Sequence, residues 1–123
     1  MVTGDEPRPS LPSAAERFQH PAEQQFAEIL DFYKVRWEYE PTTFVLATDA
    51  TGRTTEAFAP DFYLPDHDLY IEVTTMDQRL VRRKNRKLRR LRERYPDVSC
   101  KILYQRDMKA LAQRFGIEPG IGT

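Results

Sequence analysis

The stretch from Ala59 to Thr75 reads APDFYLPDHDLYIEVTT, and it places two carboxylates on what we expect to be neighbouring strands. From Leu69 onward apolar and polar residues alternate, which predicts a strand whose Glu72 emerges on the less apolar face. If the two strands pair across the turn from Pro65 to Asp68, Asp61 reaches the same face. Burying a carboxylate is costly without a cation or several donors beside it, so the pair predicts a hard oxygen site for Mg²⁺ or Mn²⁺.

Composition sets the class of protein. The chain has 123 residues, of which 40% are hydrophobic, and this is enough for one small domain with its own core. The single cysteine, Cys100, excludes an internal disulfide and a metal site built from several cysteines. The sequence contains neither a long apolar run nor a secretion signal, so we expect a soluble cytoplasmic protein with no membrane partner.

The net charge is zero, but the two signs are separated along the chain. Residues 1–77 carry 15 acids and 5 bases, a net charge of −10, whereas residues 78–123 carry 14 bases and 4 acids, a net charge of +10. This separation suits a polyanionic partner that meets the basic half while a metal ion masks the acids. The alternative is that the two halves pair with each other.

The remaining pattern predicts an α/β (α+β) domain with the element order αβββαβα and a mixed four-stranded sheet flanked by helices. The unit from Leu69 to Tyr104 should be a right-handed crossover between parallel strands, and the strands before it should be antiparallel. We expect a mobile N-terminal arm over 1–20, the domain over 21–116 and a C-terminal tail over 117–123. Helices are predicted over 21–34, 77–95 and 107–115, and strand-like segments over 35–39, 44–48, 54–63, 69–75 and 98–104.

The first predicted helix carries an acid on its apolar face. On a helical wheel Glu23 shares the buried stripe with Phe26, Leu30 and Tyr33. An inward acid needs a partner, although in a first turn it can instead complement the helix dipole.

The second predicted helix is strongly basic, with ten Lys or Arg residues between Arg79 and Arg94. Such a run is more often a solvated face, but the density of arginine favours contacts with phosphate. Lys84 falls within the apolar stripe, so its side chain either extends over the sheet toward the two acids or snorkels to the rim. The predicted nucleic-acid-binding residues are Arg82, Arg83, Arg86, Lys87, Arg89 and Arg90.

These features together resemble the PD-(D/E)xK nuclease superfamily. The resemblance rests on the inward Glu23, the turn WEYEP at 37–41, the pair PD at 60–61 and the acid Glu72 in the next strand, and it extends to about Arg106. It implies a restriction-endonuclease-like fold and a metal-dependent endonuclease that hydrolyses DNA, with branched or nicked DNA among the candidate substrates. By the same resemblance, one or two Mg²⁺ or Mn²⁺ ions are held by Asp61, Glu72 and the Val73 carbonyl, and Glu23 assists.

The chain departs from the superfamily motif after Glu72, because Thr74 stands where the motif Glu-x-Lys has its lysine. Thr74 cannot supply a positive charge. Some members of the superfamily move a catalytic residue to the following helix, and Lys84 is the candidate here. The predicted catalytic residues are therefore Glu23, Asp61, Glu72 and Lys84. Thr74 and His67 are accessory candidates, although a solvated turn histidine explains His67 more simply.

Two other functions stay open. The first is a nucleic-acid-binding module that keeps the nuclease fold but has lost its chemistry through Thr74. The second is a phosphoribosyltransferase, since FVLATDATGRT at 44–54 is similar to that family's phosphate loop; a hairpin turn explains Asp49 to Arg53 better. DNA is the expected partner, and a homodimer or a second protein is left open as the source of sequence specificity, because no element resembles a recognition helix.

Overall fold

A mixed four-stranded sheet and a separate two-stranded hairpin form the β-structure of residues 18–75 and 77–116, which are the residues that the computed structural model describes. A 3₁₀ turn, Gln105–Asp107, leads into the last helix. The helices are α1 (Pro21–Phe32), α2 (Gln78–Arg94) and α3 (Met108–Phe115). The strands are β1 (Glu38–Tyr39), β2 (Phe44–Thr48), β3 (Thr54–Phe58), β4 (Phe62–Leu64), β5 (Leu69–Thr74) and β6 (Cys100–Tyr104).

The four-stranded sheet has the order β1-β4-β5-β6. Strands β4 and β5 are antiparallel, with Phe62 opposite Ile71, while β5 and β6 are parallel and are joined by α2. Strands β2 and β3 form the antiparallel hairpin. The predicted mixed α/β architecture with a mixed four-stranded sheet is therefore confirmed, and so is the parallel pairing across the basic helix.

The prediction of one continuous strand over 54–63 is wrong. Strand β3 pairs with β2 in the hairpin, whereas β4 pairs with β1 and β5 in the larger sheet. Pro60 lies between them, and a proline has no amide hydrogen to donate to a strand ladder. The chain changes sheets at this point, so the five predicted strand-like segments correspond to six strands in its described part.

The first helix is shorter than predicted, and so is the strand that follows it. The helix ends at Phe32 instead of Lys34, and the strand expected from Val35 is reduced to β1. A Schellman cap explains both changes: the Lys34 amide donates to the Asp31 carbonyl at 3.1 Å and the Val35 amide to the Leu30 carbonyl at 2.9 Å. Lys34 adopts the left-handed φ of 61° that this cap requires.

The predicted helix starts are confirmed. Pro21 occupies the first turn of α1, where its missing amide hydrogen costs nothing. The Asp77 carboxylate caps α2 by accepting hydrogen bonds from the amides of Arg79 and Leu80, at 2.9 and 3.3 Å. Helix α3 begins directly after Asp107, but the expected cap is absent, because the Asp107 side chain accepts no capping hydrogen bond.

The hairpin turn predicted for 49–53 is also confirmed. The Asp49 carboxylate accepts hydrogen bonds from the amides of Thr51 and Arg53, at 2.9 and 3.0 Å, and Gly52 supplies a φ of 88°. The segment that is similar to a phosphoribosyltransferase loop thus closes a β-hairpin, and its one acid is engaged in holding the turn.

Each face of the four-stranded sheet carries its own apolar cluster. Helices α1 and α3 cover one face, and α2 with the β2–β3 hairpin covers the other. Because Asp61 and Glu72 alternate with residues of the first cluster, they emerge on the α2 face. The first cluster includes Phe26, Leu30, Phe62, Ile71, Val73, Met108 and Leu111, and the second consists of Phe44, Leu46, Phe58, Leu88, Leu91 and Cys100.

The ends of the chain are described only in part. The predicted arm over 1–20 lies outside the described residues as far as residue 17, and the predicted tail over 117–123 lies outside them entirely. Phe18, at the end of the predicted arm, is buried, with its ring centroid 4.8 Å from that of Tyr39 and 6.0 Å from that of Phe62. None of the helices in the described part combines the length and apolar character that crossing a bilayer requires.

We expect Phe62→Ala to lower the free energy of unfolding by about 3–5 kcal/mol, because the fully buried Phe62 ring contacts four other aromatic rings. Phe32→Ala is the matched control, since that side chain is 75% exposed and its loss should change stability by no more than about 0.5 kcal/mol. Urea unfolding measures both. Equal midpoints for the two variants would contradict this core.

Candidate functional site

Asp61 and Glu72 face each other at the open end of the β4–β5 hairpin. The register that pairs Phe62 with Ile71 continues to this pair. The Asp61 carboxylate accepts a hydrogen bond from the Val73 amide at 2.8 Å, and the Glu72 carboxylate accepts one from the Asp61 amide at 3.2 Å. Each acid thus holds the backbone of the neighbouring strand. These hydrogen bonds fix both side chains, which are also buried, at 6% and 8% exposure.

The electrostatic state of the pair reflects this burial. Burial raises the pKa of Asp61 well above its ordinary value of 3.8, the charges of Glu72 and Glu23 raise it further, and the Val73 amide and Lys84 oppose the change. Burial also raises the pKa of Glu72, although the charge of Lys84 and its hydrogen bond pull it down. Ionisation of both carboxyl groups in this buried site is therefore unfavourable, and the contacts with the Val73 amide and Lys84 offset only part of that cost.

Lys84 reaches this pair from α2. Its Nζ lies 3.2 Å from Glu72 Oε2 and donates to the Val73 carbonyl at 2.5 Å. The helix buries Val81 and Leu88 on the same side, and of the two courses that the wheel left open for Lys84 the side chain takes the one over the sheet. The carbonyl that the resemblance assigns to a metal ion is here a hydrogen-bond acceptor for the lysine. The catalytic role of Lys84 stays a prediction.

Glu23 approaches from α1. It is 9% exposed, which confirms its inward position. Its Oε1 accepts hydrogen bonds from the Tyr39 hydroxyl at 2.5 Å and from the Gln19 amide at 3.3 Å. Because its charge raises the pKa of Asp61, Glu23 acts on the pair electrostatically. Among the described residues, however, no group of three or more His, Cys, Asp or Glu side chains has an arrangement suited to a metal ion.

Two neighbouring hollows have Leu80 and Lys84 among their lining residues. A cleft of about 250 Å³ contains Asp61 and Glu72. A cavity of about 70 Å³ is lined by Glu23, Val73 and Thr74 together with His20, Ala22 and Thr75. A larger hollow of about 520 Å³ lies elsewhere, between the end of α1 and the β4–β5 turn, and its lining includes none of the four predicted catalytic residues.

The sequence reasoning missed Glu40 as a neighbour of the site. Glu40 lines the 250 Å³ cleft, and its amide donates to the Asp61 carbonyl at 2.9 Å. Burial, and then the charge of Glu23, raises its pKa. Its left-handed φ of 46° directs it there, and this is unexpected because Pro41 follows. The turn signal Glu40-Pro41-Thr42 was the only indication in the sequence.

Several cationic side chains of the basic helix are already engaged within the protein. Arg86 and Arg90 were expected to face solvent or phosphate, but both pair with Glu56 of β3, at 3.5 and 2.7 Å. Lys87 donates to the Ala57 carbonyl at 3.2 Å and also lines the cleft. The reason is that the β2–β3 hairpin packs along α2. The exposed Arg82, Arg83 and Arg89 form no ion pair with another residue of 18–75 or 77–116, and Arg83 lines the cleft.

The two accessory candidates differ in position. His67 is exposed in the β4–β5 turn and stacks on Phe115, with ring centroids 4.1 Å apart. It lies five residues from Glu72 along the hairpin, roughly 17 Å at 3.3 Å per residue, so it does not join the site. Thr74 is only 2% exposed and shares the sheet face of Glu72. Its hydroxyl has no hydrogen-bond partner in the described part of the chain.

Comparison with known proteins adds no relative to this description. No protein-family model, no curated protein and no solved structure matches the chain. The chemistry of the site therefore has to be argued from its own geometry.

The raised pKa of Asp61 predicts an unusual pH dependence of stability in solutions without divalent ions. The folded state binds more protons than the unfolded state above about pH 4, so the free energy of unfolding falls as pH rises. Asp61→Asn removes this loss, keeps an oxygen for the Val73 amide and should stabilise the protein at pH 7 by about 1 kcal/mol or more. The gain over wild type should grow from pH 4 to pH 8.

Asp66→Asn is the control for this experiment, because Asp66 is exposed and its pKa is lowered by the Arg36 hydrogen bond. Thermal unfolding at several pH values compares the three proteins. A stability gain for Asp61→Asn that is constant with pH, or a loss of stability, would contradict the raised pKa of the buried Asp61 carboxyl group.

Proposed function

We propose that the protein is a metal-dependent endonuclease that hydrolyses phosphodiester bonds of DNA on a restriction-endonuclease-like fold. The observation that supports this most strongly is the Asp61–Glu72 pair, buried, fixed by reciprocal hydrogen bonds and contacted by Lys84. If the β2–β3 hairpin is counted as an insertion, the elements α1, β1, β4, β5, α2 and β6 also follow the order αβββαβ that the resemblance to the PD-(D/E)xK superfamily implies.

The residues present fit Mg²⁺ or Mn²⁺. Carboxylate and carbonyl oxygens are the ligands that these ions prefer, and the buried pair has one ammonium, that of Lys84, beside its two carboxyl groups. Asp61, Glu72 and the Val73 carbonyl would hold the ion, and the carbonyl has a second lone pair beside the one that Lys84 uses. A divalent ion bound there supplies positive charge that activates water and neutralises a phosphate.

Lys84 takes the place of the lysine that the motif lacks at Thr74. It comes from a different element, but its Nζ lies 3.2 Å from Glu72 Oε2, on the wall of the cleft that contains both acids. A phosphate in this cleft would therefore meet a cationic donor held in place before the reaction begins. A preorganised donor of this kind stabilises the negative charge that develops in the transition state.

The arginine-rich helix would hold the DNA backbone. Arg83 and Lys87 line the cleft itself, and Arg82 and Arg89 extend the basic surface along the exposed side of α2. Contacts from such side chains are made to phosphates, so they supply affinity and position but no reading of bases. Sequence selectivity, if the enzyme has it, would come from a partner or from the shape of the DNA.

A nucleic-acid-binding module without catalysis is the second candidate. It is favoured by one observation, the contact of Lys84 with the same two oxygens, of Glu72 and Val73, that a metal ion would use. In that case the ammonium would replace the ion permanently. Binding that weakens with salt, without cleavage under any divalent ion, would identify this function.

Cleavage of nicked, branched, single-stranded and double-stranded DNA, with RNA in parallel, tests the proposal in Mg²⁺ or Mn²⁺. We expect cleavage of DNA that Asp61→Asn abolishes and that Lys84→Ala reduces by roughly 10²–10³-fold, because a preorganised cationic donor is lost. Asp66→Asn, at the far end of the same hairpin, should retain wild-type activity. Cleavage that is equal in wild type and Asp61→Asn, or absent from every substrate, would refute the nuclease and leave the binding module.

The Glu56 pairs make a separate prediction about DNA affinity. Glu56→Gln releases Arg86 and Arg90 for phosphate contacts, so binding at low salt should tighten several-fold. The slope of log affinity against log salt should steepen by about 1–2, since each added phosphate contact contributes about 0.9. Fluorescence anisotropy with EDTA present measures this without cleavage.

Glu93→Gln is the matched control, because it removes the same charge from the basic helix itself, and Glu93 forms no ion pair with a residue of the described ranges. Equal salt slopes for Glu56→Gln and Glu93→Gln would show that only net charge matters and that Glu56 does not restrain the two arginines.

A further inference from the structure

The Thr74 hydroxyl is a buried polar group that no residue of 18–75 or 77–116 pairs with. The residue is 2% exposed, and its Oγ1 forms no hydrogen bond with any residue in the described part of the chain. Leaving a buried hydroxyl unpaired costs about 1–3 kcal/mol, so native structures normally provide a partner from the protein or from ordered water. Because this hydroxyl lies at the end of β5, two residues beyond Glu72, a partner bound to it would lie next to the site.

The cavity that Thr74 lines has the size and the polarity to hold water. Its volume of about 70 Å³ is enough for about two molecules, since a water molecule takes up about 30 Å³ in the liquid. Besides Thr74, the cavity is lined by Glu23 and Lys84. Both hydrogen bonds that the described residues donate to Glu23 end on Oε1, and Oε2 remains available as an acceptor. A water molecule would thus find the polar partners that buried water requires.

The cavity and the acidic cleft meet at the side chain of Lys84. Asp61 and Glu72 line the cleft, Thr74 and Glu23 line the cavity, and Lys84 and Leu80 line both. A phosphate in the cleft and a water molecule in the cavity would therefore approach the lysine from different hollows. Phosphoryl displacement needs the attacking oxygen to approach the phosphorus opposite the leaving oxygen, and Lys84 is a cation that groups in both hollows can contact.

We propose that Thr74 positions the water that attacks the phosphodiester, so that the lysine of the usual motif is replaced by two residues, Thr74 for orientation and Lys84 for charge. Thr74 Oγ1 accepts one hydrogen of the water and Glu23 Oε2 accepts the other, which directs a lone pair of the water toward the cleft. This inference rests on the proposed nuclease function.

The step balances as a hydrolysis. The water oxygen forms a bond to phosphorus, the ester bond to the leaving oxygen breaks, and one water proton passes to Glu23. The leaving oxygen takes its proton from solvent. Thr74 itself stays chemically unchanged, so it is a positioning residue.

Thr74→Val tests the assignment because it keeps the shape of the side chain and removes only the hydroxyl. We expect kcat to fall by about 10- to 100-fold, the effect of a misplaced reacting group, while KM and the affinity for Mn²⁺ stay at wild-type values. Thr74→Ser restores the hydroxyl and should recover most of kcat. A Thr74→Val enzyme with wild-type kcat would overturn the inference and leave the nuclease intact.

A high-resolution crystal structure gives a readout that does not depend on activity. In the wild type we expect an ordered water within about 2.7–3.0 Å of Thr74 Oγ1 and within hydrogen-bond distance of Glu23, and we expect Thr74→Val to lose it. Absence of this water from the wild type overturns the inference even if DNA is cleaved. An ordered water together with no cleavage of any substrate overturns the proposed function, and the role of Thr74 in catalysis with it.

Discussion

The burial of two carboxylates at the open end of the β4–β5 hairpin is the constraint on which the rest of the structure depends. Asp61 and Glu72 each accept a hydrogen bond from the backbone of the other strand, which fixes them but does not neutralise them. Buried charge of this kind persists only beside a compensating group, and here the chain brings Lys84 across the sheet to provide it. Helix α2 must therefore lie over this face, and the crossover from β5 to β6 places it there.

The separation of charge along the sequence is resolved in two ways at once. Part of the basic half pairs with the acidic half, since Glu56 engages Arg86 and Arg90 and Glu72 engages Lys84. Other arginines of α2 remain exposed next to the cleft, which is the distribution that a polyanionic partner needs. Both interpretations of the charge pattern therefore hold for α2. The side chains next to the β2–β3 hairpin pair with its acid, and the exposed arginines are available to a polyanion.

Local periodicity was sufficient to predict much of the site, but long-range contacts were not predictable. Alternation in β5 sets the face of Glu72, and the helical wheel turns Lys84 inward, because both depend on residues close in sequence. Three features were not predictable in this way: the change of sheet at Pro60, the ion pairs of Glu56 and the left-handed conformation of Glu40. Each depends on which distant elements become neighbours, and the spacing of residues in one sequence does not indicate those contacts.

Thr74 stands where the superfamily motif has a lysine, and its hydroxyl is buried close to the acids with no partner in the described part of the chain. The central claim is that the pair of acids binds a divalent ion, and titration with Mn²⁺ followed by electron paramagnetic resonance tests it most directly. Saturable binding to the wild type and to Asp66→Asn, lost in Asp61→Asn, is the result that the geometry predicts. Equally weak binding to all three proteins would contradict it.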